Sequence, residues 1–177
     1  MSMEEITIKK AGAGDIDLLF TTCRQSYSEN FADHWNEGGL EWYLEEVYGL
    51  DKIKSDLENP EINYYIAFLK DAPAGFMKVN LSNTIPGHPA KSAMEIEKIY
   101  FRPQFHGKGI GKNLIQLAIE LGRLLKKEMI WLGVIDNNLN AIEFYERMGF
   151  AFFDKTKLDV PYFKEHLKGM WRMTLKL

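Results

Sequence analysis

The stretch Ile99-Tyr100-Phe101-Arg102-Pro103-Gln104-Phe105-His106-Gly107-Lys108-Gly109-Ile110-Gly111-Lys112-Asn113 decides how the rest of the chain is read. An apolar run with the look of a strand enters a basic, glycine-dense turn. The turn opens directly into an amphipathic helix, expected over Asn113 to Lys127. Glycines at 107, 109 and 111 let the backbone approach an anion with no Cβ in the way. The helix N-terminus then offers unpaired N–H groups and the positive end of its dipole, and Lys108 and Lys112 add charge. Together they predict a cradle for the diphosphate of a nucleotide-like cofactor. Spacing weakens two common versions of such a cradle. The glycines run G-x-G-x-G rather than the G-x-G-x-x-G of dinucleotide folds, and Gly111-Lys112 is followed by Asn113, which lacks the hydroxyl that a P-loop gives to magnesium.

A second segment lies downstream. Trp131-Leu132-Gly133-Val134 reads as a buried strand, and Asn138-Leu139-Asn140-Ala141-Ile142-Glu143-Phe144-Tyr145-Glu146-Arg147-Met148-Gly149-Phe150 follows it. Asn138 suits a helix N-cap. Ala141, Phe144, Tyr145 and Met148 fall at helical spacing, and Gly149 suits the stop.

His106 to Gly111 resembles motif A of the GNAT superfamily of N-acetyltransferases, Gln/Arg-x-x-Gly-x-Gly/Ala, with His106 where Gln or Arg is usual. Asn138 to Phe150 resembles motif B of the same superfamily, Asn-x-x-Ala-x-x-Phe-Tyr-x-x-x-Gly-Phe. The resemblance implies a single α/β (α+β) domain over residues 1–177, with a mixed, largely antiparallel central sheet flanked by helices. Two splayed strands would form the acetyl-CoA cleft. It implies acetyl-CoA as cofactor, held by Ile99, Tyr100 and Phe101 on the strand, by His106, Gly107, Lys108, Gly109, Ile110, Gly111 and Lys112 in the cradle, and by Asn138, Asn140 and Tyr145 on the second motif. Ile99 and Phe101 would supply main-chain contacts to the pantetheine arm.

The remaining pattern agrees in order. Ile6 to Lys10 alternates as a strand, Asp15 to Glu29 reads as a helix, and Leu40 to Leu57 as a second helix ended by Asn59-Pro60. Ile62 to Leu69 and Ala74 to Leu81 form a hairpin around Asp71-Ala72-Pro73, and Ser82 to Lys91 is a loop. Ala93 to Phe101 is the strand that feeds the cradle. Ala151 to Lys155 and Met170 to Lys176 read as final strands.

Acetyl transfer from a thioester to an amine needs a proton acceptor, an oxyanion donor and an acid for the departing thiolate. Positioning the reactants supplies up to roughly 7–11 kcal/mol, and an acid or base about 10²–10⁴ in rate. By resemblance Tyr145 is the acid; its ordinary pKa of about 10 keeps it protonated. Glu97 is the expected base, with Glu95 behind it, because strand alternation places 95, 97, 99 and 101 on one face. The oxyanion donor is expected to be a main-chain N–H near Tyr100 or Phe101.

Composition bounds the rest. The 177 residues suit one ordinary domain, and 46% hydrophobic content suffices for a core. A net charge of -3 disfavours nucleic acid as a partner. The single cysteine, Cys23, provides no internal disulfide. The start, Met1-Ser2-Met3-Glu4-Glu5, is unlike a signal peptide, and no apolar run reaches the roughly 20 residues of a membrane span. A cytoplasmic protein is expected, and the resemblance allows a homodimer. His34, His88 and His166 lack partners at metal spacing, so no metal is expected.

From Glu29 to Glu46 the chain carries Glu29, Asp33, Glu37, Glu41, Glu45 and Glu46 and no lysine or arginine. In the resembled fold this region roofs the acceptor. Met94 to Tyr100, Trp131 to Val134, Asn140 to Tyr145 and Met77 to Asn80 look like the PaiA-type spermidine/spermine N-acetyltransferases. A polyamine is therefore the expected acceptor, with Glu29, Asp33 and Glu97 binding it. An acetyltransferase for protein N-termini or another small amine, and a non-catalytic acyl-CoA-binding module, stay open.

Overall fold

Seven strands form one sheet in the order β1-β2-β3-β4-β5-β7-β6. The computed structural model describes residues 5–177, so the polar start at Met1 to Glu4 lies outside the described residues. The strands are β1 (Ile6–Lys10), β2 (Ile62–Leu69), β3 (Ala72–Asn80), β4 (Ala93–Phe101), β5 (Met129–Ile135), β6 (Ala151–Lys157) and β7 (Gly169–Lys176). Every neighbouring pair is antiparallel except β4 and β5, so the sheet is mixed and mostly antiparallel, as expected.

Helices cover both faces. α1 (Ile16–Phe31), α2 (Gly39–Tyr48) and α3 (Leu50–Glu58) lie on one side, and α4 (Ile110–Leu124) and α5 (Leu139–Arg147) on the other. Two buried clusters follow this division. Leu114, Ile115 and Ala118 of α4 pack with Met94, Ile96, Ile130 and Leu132 of the central strands. On the opposite face Leu19, Cys23 and Tyr27 of α1 pack with Tyr43, Tyr48, Ile53, Tyr64, Ile66 and Phe76.

Several boundaries differ from the sequence reading, and three of the differences have a clear local cause. The single helix expected over Leu40 to Leu57 is two helices, broken at Gly49. Its ψ of 156° is extended, and a Cβ there would lie 2.4 Å from the Glu45 carbonyl oxygen. Apolar periodicity continues across the break, which hid it. β3 starts at Ala72, because Lys70-Asp71 alone makes the turn, with Lys70 at φ +54°. α4 starts at Ile110, three residues earlier than expected, because Gly109 already serves as its N-cap.

The β6–β7 connection folds back over the end of α1. Phe163 bridges to Trp35, Asn36 N–H donates to the Tyr162 carbonyl at 2.8 Å, and Lys164 N–H donates to the His34 carbonyl at 2.9 Å. The strap packs the Phe163 ring 5.8 Å from the His34 ring.

Candidate active site

β4 and β5 pair only from Ala93↔Met129 to Ile96↔Leu132. Beyond that point β4 keeps β3 as partner and β5 keeps β7, so the two central strands fork. The fork opens a cleft of about 650 Å³. Ile99, Tyr100 and Phe101 form one wall, Val134, Ile135 and Asn137 to Asn140 the other, with Ala141, Phe144 and Tyr145 of α5 behind.

A bulge marks the fork. Lys78 faces Lys98 across β3 and β4, while Val79 faces Ile96, so Glu97 is the extra residue of β4. The bulge breaks strict alternation, and it corrects the expectation that 95, 97, 99 and 101 share a face. Ile99 and Phe101 pack with the α4–α5 cluster, whereas Tyr100 packs with the α1–α3 cluster. Lys98 points the same way as Tyr100, donating to the Tyr43 hydroxyl at 3.1 Å. Glu97 also turns to that side, where Lys78 meets it at 2.9 Å.

Main-chain directions follow from one hydrogen bond. Arg102 N–H donates to the Ala74 carbonyl at 2.9 Å. In an antiparallel pair such groups alternate, so Tyr100 turns its N–H to β3, and Ile99 and Phe101 turn theirs to the open fork. Of the two residues named for an oxyanion donor, Phe101 is the one whose N–H is free of the β3 ladder. The Phe101 carbonyl is already engaged, accepting from the Asn30 amide at 2.9 Å and lying 3.3 Å from His106 Nε2.

The cradle has the predicted form. Gly107 and Gly109 adopt φ of +74° and +87°, a region costly for other residues. A Cβ on Gly111 would sit 3.1 Å from the Phe144 ring and 3.2 Å from the Phe101 ring, so the small residue lets the first turn of α4 close onto the fork. N–H groups of Ile110, Gly111 and Lys112, in that first turn, have no intrahelical acceptor. His106 packs its ring 4.9 Å from Phe101, which gives it a role in shaping the cradle wall. Lys108 and Lys112 are exposed beside it.

Tyr145 lines the cleft, is 9% exposed, and burial raises its hydroxyl well above the ordinary value, so it stays protonated. Asn138 is the N-cap of α5, accepting from Ala141 N–H at 3.3 Å, and both Asn138 and Asn140 line the cleft.

Four acidic residues expected at the site stand outside the cleft lining. The Glu97 carboxylate is held by Lys78 Nζ and lies 3.5 Å from the Asn80 amide. Glu95 accepts from the Asn83 amide at 2.5 Å, and burial raises its carboxyl despite that bond. Glu29 is bound to Arg102 through both carboxylate oxygens, at 3.0 and 3.1 Å from Nε. Asp33 is exposed, and its main-chain carbonyl accepts from Lys164 at 2.6 Å. Of the acidic region, Glu37 precedes α2, and Glu41, Glu45 and Glu46 lie on it.

The structure brings in residues that the sequence did not assign to the site. Asn30 and Phe31 at the end of α1, His34 just beyond it, and Met170 of β7 complete the cleft. Phe31 lies 5.1 Å from both Tyr100 and His34. Burial holds His34 below the ordinary histidine value, partly offset by Asp33. Asn30 meets Phe101 across 71 residues of sequence, a separation at which no local pattern signals contact.

A forked sheet with a glycine cradle at its mouth is the frame of an acyl-CoA-dependent transferase. This chain belongs to the acetyltransferase (GNAT) family, whose model matches residues 21–150. It is an N-acetyltransferase with acetyl-CoA as co-substrate, and the open cleft, the bare first turn of α4 and the free side of β4 fit that molecule. An uncharacterized N-acetyltransferase of Lactobacillus delbrueckii subsp. lactis is 27% identical over 153 residues, 86% of this chain and 88% of the relative. Spermidine N(1)-acetyltransferase of Thermoplasma acidophilum is 26% identical over 152 residues, 84% of this chain and 90% of the relative. The crystal structure of the PaiA N-acetyltransferase of Thermoplasma acidophilum in complex with coenzyme A has a TM-score of 0.74 to this fold at 22% identity, covering 98% of this chain and 99% of that one. Among the described residues no helix is long and apolar enough to cross a membrane.

Proposed function

We propose that the acceptor is a small primary amine, foremost a polyamine such as spermidine, acetylated by direct attack while both reactants are bound. The fork carries this reading, because it presents free main-chain groups beside a buried, protonated tyrosine. The relatives support the acceptor class. Besides the spermidine enzyme, a spermine/spermidine N(1)-acetyltransferase of Bacillus subtilis is 34% identical over 58 residues.

In this mechanism the cradle of Gly107 to Lys112 and the wall of Asn138 and Asn140 hold the co-substrate. Phe101 N–H faces the developing oxyanion. The acceptor loses its ammonium proton and forms the C–N bond as the C–S bond breaks. Tyr145 gives its proton to the departing thiolate and regains one from the acceptor nitrogen through water. Glu95, whose carboxyl burial raises above its ordinary value, takes the first proton through water. A second reading assigns that proton to Glu97, favoured by its place at the fork.

Thiol release with spermidine, spermine, amino acids, lysine peptides and aminoglycosides tests the acceptor. Selective turnover of the polyamines is expected; turnover of peptides alone would replace them with protein acceptors. Tyr145→Phe should lower kcat at least about tenfold with CoA affinity nearly unchanged. Unaltered turnover would remove the tyrosine from the chemistry.

A further inference from the structure

Lys78 and Asp56 are 6% and 4% exposed, yet they carry charges into the aromatic face of the core. Lys78 Nζ lies 2.9 Å from Asp56 Oδ2 and 2.9 Å from Glu97 Oε2. The Tyr64 hydroxyl donates to the same Asp56 oxygen at 2.7 Å, and Lys52 pairs with the other. Burial alone would lower the Lys78 ammonium, but Glu97 and Asp56 more than offset it. Burial alone would raise the Asp56 carboxyl, but Lys52, Lys78 and Tyr64 hold it down. The network is satisfied, though such networks contribute little net stability compared with apolar residues of the same volume. Net stability alone does not account for it.

Its location supplies a role. Lys78 is the β3 residue at which the β3–β4 register shifts, and Glu97 is the residue that the shift inserts. The same point ends the β4–β5 pairing. A bulge is a local choice among registers, and a slip of one residue turns every following side chain to the opposite face. Here a slip would send Ile99 and Phe101 to the acceptor side and turn the main chain of Tyr100 into the fork. One ion pair ties the inserted residue to the strand across from it. A second anchors that strand's lysine to α3.

We infer that Lys78, braced by Asp56, is a positioning residue for the cleft: by holding Glu97 it fixes the bulge, and so sets which main-chain groups of β4 face the co-substrate. Glu97 then serves the reaction through the shape of β4. This rests on the acetyl-CoA reading of the cleft, and the tests below separate the two.

Lys78→Met and Glu97→Ala would each be compared with wild type by calorimetric titration of CoA and by backbone amide shifts of the CoA-free protein. Each substitution should weaken CoA binding at least tenfold and move the amides of Ile99 and Phe101. The double variant should lose no more than either alone, because both cut one device. Turnover that survives should keep its dependence on pH. Where Lys78→Met does not fold, Glu97→Ala, which leaves Lys78 paired with Asp56, carries the test. Unchanged CoA affinity and unchanged amide shifts in either folded variant would overturn the clamp. So would loss of turnover and of its acid limb in Glu97→Ala with CoA affinity intact, which would make Glu97 the base. Wild-type protein that binds no CoA would refute the cofactor reading instead, and the amide shifts of the CoA-free variants would still decide the clamp.

Discussion

On the α4–α5 side of the sheet the buried core is largely aliphatic, with Leu114, Ile115, Ala118, Ile119, Ile130 and Leu132 at its centre. On the α1–α3 side it is aromatic, with Tyr27, Trp35, Tyr43, Tyr48, Tyr64 and Phe76, and it encloses Asp56 and Lys78. Tyr27 alone packs against Phe31, Trp35, Tyr43, Tyr48 and Tyr100 at centroid distances of 4.6 to 6.4 Å. In the proposed function the first face holds the co-substrate, by main-chain groups and a helix N-terminus, and the second faces the acceptor. Aromatic edges and buried polar groups discriminate between shapes and charges better than methyl groups do, because an unmatched partner leaves them unsatisfied.

The contrast can be broken most severely at the cradle. Gly109 sits at φ +87°, and its Cβ position faces Asn113 and Ile6 at 3.9 and 3.7 Å. Gly109→Glu places a disfavoured side chain and a negative charge where the diphosphate must lie. CoA affinity should fall at least about 100-fold, while far-UV circular dichroism and the α1–α3 face stay intact. Retained micromolar binding would sink the cradle assignment.

The next break lies on the other face. Asp56→Asn removes one charge of the buried network and should cost about 3–5 kcal/mol in urea unfolding at neutral pH. The folded carboxyl lies below its ordinary 3.8 because Lys52, Lys78 and Tyr64 outweigh its burial. Its contribution is therefore fully present above about pH 4 and is lost as pH falls through the lowered folded value. The gap between wild type and variant should hold from neutral pH to about pH 4 and narrow as pH falls further. A gap independent of pH would show that the network acts by packing and not by charge.

Contiguity explains what was readable. Gly107-Lys108-Gly109-Ile110-Gly111 builds its site from neighbours in sequence, so composition and spacing reveal it. Asn138 caps α5 from within its own motif. The end of the molecule beyond α1 joins Asn30 to Phe101, Lys164 to Asp33 and Trp35 to Phe163, contacts that span 71 residues for the first and 131 for the second. The bulge at Glu97 inserts a residue with no proline or glycine to announce it, so alternation was carried one step too far. Arg102 shows the same limit from another side. Nothing in its sequence context says that it will take Glu29 out of the acidic roof.

With Glu29 neutralised, the roof's remaining charge sits on the rim. Glu41 and Glu45 are exposed on α2, and Arg24 meets Glu45 only at 3.5 Å. An exposed pair of that kind is worth little, so Glu45 keeps most of its field for a passing cation. Neither residue touches the cleft lining, which is formed at this end by Asn30, Phe31, His34 and Tyr100. Their effect on a polyamine must then be long-range attraction, which salt screens over about 10 Å at 0.1 M. Glu41→Gln with Glu45→Gln should raise the KM for spermidine about two- to threefold at low salt and leave it unchanged at 0.5 M, with CoA affinity untouched throughout. A KM that stays constant at every salt concentration would put recognition in the aromatic end of the cleft alone. Phe31, His34 and Tyr100 would then be the residues that choose the amine.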